Sequence, residues 1–271
     1  MSGHRPYEGK RVVVSGCFSG IGRATARILL DQGAIVHGLD LKANDLALQA
    51  FTAVDLREAG SIDAAVKQIG GPVDALFNCA GVAPGRPPLD VLKVNFIGTR
   101  HLTEQLLASM APGGAVVNVA SVGGAGWSTR VPALTELSEA PSFDAAVAWC
   151  EAHPEALAAS YSFSKEAIIV WTMLTSARQI QRGIRVNCTT PGAVQTPMLD
   201  EIEVDTPTAV IEVTTQPIGR RSQPEEQAAV LVFLNSDAAG YVNGAVLPVD
   251  GGFMAARITG QINTPATLGR K

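Results

Sequence analysis

Tyr161 and Lys165 stand four positions apart in Tyr161-Ser162-Phe163-Ser164-Lys165. On a helix such positions share one face, so a phenol is set beside an ammonium. A free tyrosine titrates near pH ~10 and is protonated at neutral pH. A neighbouring positive charge favours the phenolate and lowers that value. The pair can then exchange a proton with an alcohol or a ketone near neutrality. Taken alone, the spacing is also that of a solvated helix face, so the rest of the chain decides its meaning.

A second constellation spans Val12 to Asp40. Val12-Val13-Val14-Ser15 is a short β-branched run, the pattern of a buried parallel strand. Gly16-Cys17-Phe18-Ser19-Gly20-Ile21-Gly22 follows, then a helical pattern through Ala24, Ile28 and Leu29 that stops at Gly33. Ala34 to Leu39 reads as the next strand, and Asp40 closes it. Strand, glycine turn, helix, strand and acid form a dinucleotide-binding unit. The glycines let the backbone approach a pyrophosphate, whose charge the helix amino terminus favours. A carboxylate at Asp40 can accept bonds from the adenosine ribose hydroxyls and would repel a 2′-phosphate. Cys17, Phe18 and Ser19 include no arginine to offset this, and Lys42 is the one nearby cation. The cofactor expected is NAD rather than NADP.

Together these motifs resemble the short-chain dehydrogenase/reductase family. Gly16-x-x-x-Gly20-x-Gly22 is similar to its cofactor loop, and Asn78-Cys79-Ala80-Gly81 to its Asn-x-Ala-Gly element. Asn95 in Val94-Asn95-Phe96 matches the catalytic asparagine, Ser121 in Ala120-Ser121-Val122 the catalytic serine, and Tyr161 with Lys165 the catalytic pair. Pro191-Gly192-Ala193-Val194-Gln195-Thr196-Pro197 resembles the loop that holds the nicotinamide. Asp250-Gly251-Gly252 resembles a further family signature. Ser15-Gly16-Cys17, Met198-Leu199 and Gly219-Arg220-Arg221 are most similar to bacterial 3α-hydroxysteroid dehydrogenase/carbonyl reductases.

The resemblance implies hydride transfer between a secondary alcohol and NAD. Tyr161 would carry the proton, and Lys165 would lower its pKa and hold the nicotinamide ribose. Ser121 would bond the substrate oxygen, and Asn95 would hold a water linking Lys165 to solvent. The implied cofactor site comprises Gly16, Ser19, Gly20, Ile21, Gly22, Asp40, Asp55, Leu56, Asn78, Ala80, Gly81, Tyr161, Lys165, Pro191, Gly192, Val194 and Thr196. Ser121, Trp127, Tyr161 and Met198 would face the substrate. A homodimer or homotetramer is implied, associating through two long helices, Leu89–Met110 and Ser160–Gln181.

One departure stands out. Forty positions separate Ser121 from Tyr161, and most family members place these residues far closer together. The extra segment, residues 127–159, holds Pro132, Pro141 and Pro154 and the pattern of one short helix at Phe143–Glu151. The hydroxysteroid dehydrogenase/carbonyl reductase group has an insertion at this place.

The elements that must position these residues alternate along the chain. Strands are expected at Val12–Ser15, Ala34–Leu39, Ala50–Val54, Val73–Asn78, Ala115–Ala120, Ile184–Cys188 and Ala245–Val249. Helices are expected at Ile21–Gln32, Ser61–Ile69, Leu89–Met110, Ser160–Gln181 and Pro224–Ser236. This is the signature of an α/β fold, a doubly wound parallel sheet of Rossmann type in a single domain over 1–271. Gly16, Asp40, Asp55, Asn78, Ser121 and Pro191 all fall at or just past expected strand ends, where such sheets bind ligands. Residues 253–271 read as a surface tail.

Composition bounds the alternatives. The chain has 271 residues, 46% hydrophobic and 5% aromatic, with a net charge of −4 and no basic run. Nucleic acid is therefore not an expected partner. No stretch approaches the ~20 apolar residues of a membrane helix, and residues 1–10 lack a signal-peptide core. A soluble cytoplasmic protein is the expectation. Cys17, Cys79, Cys150 and Cys188 are too widely spaced for a metal or redox motif, so no metal is expected. The expected ligand is a small-molecule alcohol or ketone. The apolar run Met198, Leu199, Ile202, Val204, Val210, Ile211 and Val213 suits a lid over a bulky cyclic substrate such as a hydroxysteroid. A smaller non-steroid alcohol is the alternative, and a silent NAD-binding sensor or scaffold is disfavoured because Tyr161 and Lys165 are both present. An epimerase or dehydratase also uses a Tyr/Lys pair, but only Pro197 to Gly219 and the tail are available for a separate substrate domain.

Overall fold

In the computed structural model, residues 6–262 are described. Seven strands, β1 (Arg11–Ser15), β2 (Ile35–Asp40), β3 (Ala50–Ala53), β4 (Ala75–Asn78), β5 (Ala115–Val119), β6 (Arg185–Pro191) and β7 (Val246–Val249), pair in one parallel sheet. Their order is β3-β2-β1-β4-β5-β6-β7. The order reverses between β1 and β4, which opens a crevice at the strands' carboxyl ends.

Both faces of the sheet are covered, and the pleat shows why the strands are apolar throughout. Val13 of β1 enters one hydrophobic cluster, while Val12 and Val14 enter the other. The second cluster holds α1 (Gly20–Asp31) through Ala26 and Leu29, and α11 (Pro224–Asn235) through Leu231 and Leu234. The first cluster holds α2 (Ala59–Ile69), α4 (Thr99–Ser109) and the twenty-residue α8 (Ser160–Gln179).

All seven expected strands form, each within a few residues of its expected bounds. Three expectations change. The helix expected over Leu89–Met110 is broken into α3 (Pro88–Leu92), a π-helical turn at Lys93–Gly98, and α4. At that turn Thr99 Oγ1 donates to Val94 O at 3.1 Å. A Cβ at Gly98 would lie 2.0 Å from Leu56 O, so only glycine admits this approach. The insertion carries three helices rather than one: α5 (Val131–Ser138), α6 (Phe143–Glu151) and α7 (Pro154–Ala158). Its Leu134, Leu137, Phe143, Ala146, Cys150 and Ala156 join the main core. α5 and α7 pack on α8, whose Phe163 to Thr172 are all buried. The segment after β6 forms α9 (Pro197–Asp205) and α10 (Thr208–Val213). The expected tail begins as α12 (Phe253–Ile258), whose Phe253 and Ala256 are buried. Residues 263–271 of that tail lie outside the described residues. No described helix is long and apolar enough to cross a membrane.

Candidate active site

A cavity of about 580 Å3 opens at the crevice. Gly16, Ser19, Gly20, Ile21 and Gly22 form one wall, Asp40, Asp55 and Leu56 one end, and Ser121, Tyr161 and Lys165 the other. Ala80, Gly81, Pro191, Gly192, Val194, Thr196 and Met198 complete the expected lining.

The glycine wall is shaped by close backbone approach. A Cβ on Gly22 would lie 2.1 Å from Gly16 O, and one on Gly16 would lie 2.6 Å from Ala80 N. Gly16 and Gly20 also adopt φ of 72° and 54°, a region that favours glycine. α1 therefore starts with bare backbone N–H groups facing the cavity. Its first turn carries no acidic residue, and Ser19 makes no side-chain cap bond. That is an anion site with room for a diphosphate. At the far end Asp40 Oδ2 accepts from Phe18 N at 3.0 Å, and Oδ1 from Leu41 N at 2.7 Å and Lys42 N at 3.4 Å. The carboxylate is thus held in place before any ligand arrives. The Lys42 ammonium lies 5.7 Å from the Phe18 ring centroid. Asp55, by contrast, is engaged by Arg57, with Nη2 to Oδ2 at 2.6 Å and Nε to Oδ1 at 3.0 Å. These hydrogen bonds hold the Asp55 carboxyl below the usual range.

At the end lined by Ser121 and Tyr161, Lys165 is 4% exposed and its Nζ donates to Val119 O at 3.0 Å. Burial drops its pKa to about 8. The ammonium is 5.8 Å from the Tyr161 ring centroid. The expectation that Lys165 lowers the phenol's pKa does not hold for the protein alone. Burial raises Tyr161, and hydrogen bonding to Ser121 opposes the rise. Removing a phenolate from water outweighs the hydrogen bond that would favour it. Ser121 Oγ also accepts from Gly123 N at 3.0 Å, which fixes the hydroxyl at the end of β5.

Three expected residues lie outside the cavity lining. Asn78 is buried behind it, donating to Thr103 Oγ1 and Asn118 Oδ1 at 2.8 Å each. It is the last residue of β4 and joins that strand to β5 and α4, so its side chain is spent on protein groups. Trp127 packs against the core cluster and is not among the residues that line the cavity. Asn95 is 2% exposed within the π-helical turn. Its Oδ1 accepts from Val82 N at 2.8 Å, and its Nδ2 donates to Val82 O at 3.2 Å and Ser164 Oγ at 3.3 Å. Asn95 therefore clamps a lining residue from behind. It remains beside Lys165, since a Cβ at Gly81 would be 3.3 Å from Asn95 Oδ1 and 3.7 Å from Lys165 Nζ.

The lining also includes residues not expected at the site. Val82, Val94, Leu199 and Ile202 form apolar wall, and Arg57, Arg86 and Asp90 bring charge. Leu199 and Ile202 were legible as lid residues. The charged three carry no motif, and only the fold brings them to the rim. Arg86 Nη2 donates to Glu201 Oε2 of α9 at 2.8 Å, joining the loop after β4 to the lid. Among the described residues no cluster of three or more His, Cys, Asp or Glu could hold a metal.

Comparison with known proteins agrees with this geometry. Residues 10–133 match the family described as short chain dehydrogenase, and residues 150–254 that described as enoyl-(acyl carrier protein) reductase. The stretch between the two matches falls within the insertion. A coniferyl-alcohol dehydrogenase of Pseudomonas sp. strain HR199 is 37% identical over 92% of this chain and 98% of its own. The 3-alpha-hydroxysteroid dehydrogenase/carbonyl reductase of Comamonas testosteroni is 32% identical over 90% and 96%. The solved structure of a 3-alpha-hydroxysteroid dehydrogenase from Pseudomonas sp. B-0831, complexed with NADH, is similar with a TM-score of 0.78 at 28% identity. It covers 93% of this chain and 100% of its own. With relatives at this identity along almost all of its length, the chain belongs to the short-chain dehydrogenase/reductase family of oxidoreductases.

Proposed function

We propose that the protein interconverts an apolar, ring-bearing alcohol and its carbonyl partner, with NAD as cofactor and Tyr161 as acid/base. One observation carries this reading. Ser121, Tyr161 and Lys165 converge at one end of a single cavity whose other wall is a glycine cradle ending at Asp40. Bound there, NAD supplies the redox chemistry and, when oxidised, a positive charge at the catalytic end. The chain's own residues do the rest. Asp40 receives the adenosine ribose hydroxyls, and the amino terminus of α1 receives the diphosphate. Lys165 holds the nicotinamide ribose. Tyr161 accepts the alcohol proton during oxidation and returns it during reduction. Ser121 donates to the substrate oxygen as charge develops on it.

The phenol's raised pKa in the protein alone has a consequence. Tyr161 gains its base character from added positive charge, so deprotonation is coupled to binding of the oxidised cofactor. The apolar wall of Val82, Val94, Met198, Leu199 and Ile202 favours a hydrocarbon-rich substrate. A hydroxysteroid suits that wall. A second reading, a monocyclic aryl alcohol, is favoured by the 37% identity to a coniferyl-alcohol dehydrogenase and by the position of Trp127 away from the cavity. Purified protein would be incubated with NAD and a 3α-hydroxysteroid, coniferyl alcohol, a monocyclic secondary alcohol or a short 2-alkanol, following NADH absorbance. Ring-bearing alcohols are expected to give the higher kcat/KM. Preference for the short alkanol would sink the substrate reading, and inactivity on the whole panel would sink the reaction.

A further inference from the structure

The loop after β5, and the insertion it enters, lie unusually close to α8. Three glycines make this possible. A Cβ on Gly123 would be 3.3 Å from Tyr161 Cε1, and one on Gly124 would be 2.9 Å from the Lys165 carbonyl carbon. One on Gly126 would be 2.6 Å from Glu166 Oε1. The loop that begins with Ser121 therefore runs along Tyr161, Lys165 and Glu166 in turn. Glu166 does not line the cavity. Its side chain is 5% exposed, yet it carries a carboxylate. Its partner comes from the far end of the same loop: Arg130 Nη1 donates to Glu166 Oε2 at 2.9 Å. Arg130 also lies 5.9 Å from the Phe163 ring centroid, and α5 starts at the next residue. A buried carboxylate is costly without a partner, so this pair holds the loop at the point where it becomes the insertion.

We propose that Glu166 is a positioning residue. With Arg130 it clamps residues 121–126 onto α8 and thereby fixes the Ser121 hydroxyl against the Tyr161 phenol. The insertion, on this view, stabilises the catalytic geometry from outside the cavity. The proposal rests on the acid/base reading of Tyr161 given above. A displacement near 1 Å at such a site can lower turnover by up to ~100-fold.

Four variants test it: Glu166→Gln, Arg130→Met, the two combined, and Arg130→Lys. Each single neutral change leaves a charge without its partner and should lower the unfolding midpoint. The combined variant removes both charges, so its midpoint should return toward the parent value. Its kcat should stay down by about ten-fold, with KM for NAD unchanged, because the clamp is still gone. Arg130→Lys, which keeps a cation there, should stay within about three-fold of the parent kcat. A combined variant with parental kcat would overturn the proposal. A substrate-free readout separates this from failure of the function itself. Phenolate absorbance, taken as the difference between each variant and its Tyr161→Phe counterpart, reports the Tyr161 titration alone. The bond from Ser121 lowers that titration. Losing it should move the midpoint upward, and an unmoved midpoint overturns the positioning role. A shifted midpoint in a protein inactive on every alcohol upholds the clamp while sinking the proposed reaction.

Discussion

Tyr161 and Asp40 mark the two ends of the cavity, and each lends itself to a test by substitution. Tyr161→Phe removes the proposed proton carrier and keeps the ring that packs beside Gly123. Its kcat is expected to fall by at least about a hundred-fold, the scale of lost general acid/base catalysis, while NAD binding stays near the parent value. A kcat within ten-fold of the parent would remove Tyr161 from the mechanism. At the other end, Asp40 is preorganised by three backbone N–H groups, and the Lys42 cation is placed on Phe18. Asp40→Ala combined with Leu41→Arg should therefore move preference from NAD toward NADP, read as kcat/KM for each cofactor. Should the parent already prefer NADP, Asp40 does not meet the ribose. Asn78 and Asn95 make the complementary point. Both lie at the expected places in the sequence, yet both spend their side chains on protein groups, Asn78 on neighbouring elements and Asn95 on the backbone of Val82.

Elements decide which of these residues reach the cavity, and the sequence reveals some of them far better than others. β1, α1 and β2 were legible because the β-branched run, the glycine spacing and the terminal acid each signal one structure. The turn at Lys93–Gly98 is not legible: no local residue type signals a π-helical turn, and the close approach of Gly98 to Leu56 there is a long-range contact. The insertion is legible as an insertion, but nearness to Ser121 in sequence gives Trp127 no direction, and it packs against the core. Arg100 is the element-scale residue that no motif announces. It is 2% exposed on α4, and its guanidinium donates to the carbonyls of Leu137, Ser138 and Ala140 at 2.7–3.0 Å. The first two belong to the last turn of α5, where a cation is favoured by the helix dipole. Arg100→Leu would strand these carbonyls in the core. A loss of roughly 3 kcal/mol in unfolding free energy is expected, together with faster hydrogen exchange in α5 and α6. Unchanged stability and protection would show that the insertion is held by its apolar contacts alone.

At the scale of the whole molecule, the sheet's reversal between β1 and β4 creates the crevice, and the layers on both faces bury what stands at its catalytic end. Lys165 carries the consequence. Its ordinary pKa is 10.5, and burial brings it to about 8, so the unfolded chain holds the proton more tightly than the folded one. Stability should therefore rise with pH between about 8 and 10.5 on this residue's account and be lower, by a constant amount, at every pH below 8. The shift corresponds to a destabilisation on the order of 3 kcal/mol at neutral pH. Lys165→Met removes that term and gives up the bond to Val119 O, itself worth about 1 kcal/mol. The cofactor-free variant should consequently unfold at higher temperature than the parent at pH 7, although it is inactive. The difference should shrink as pH is raised through 8 to 10.5, and a matched pair of thermal unfolding series would show it. Equal midpoints at pH 7, or a gap that widens with pH, would mean that the ammonium is solvated in the folded state. In that case the fold would not be tolerating a buried charge at the end of the cavity where Tyr161 stands.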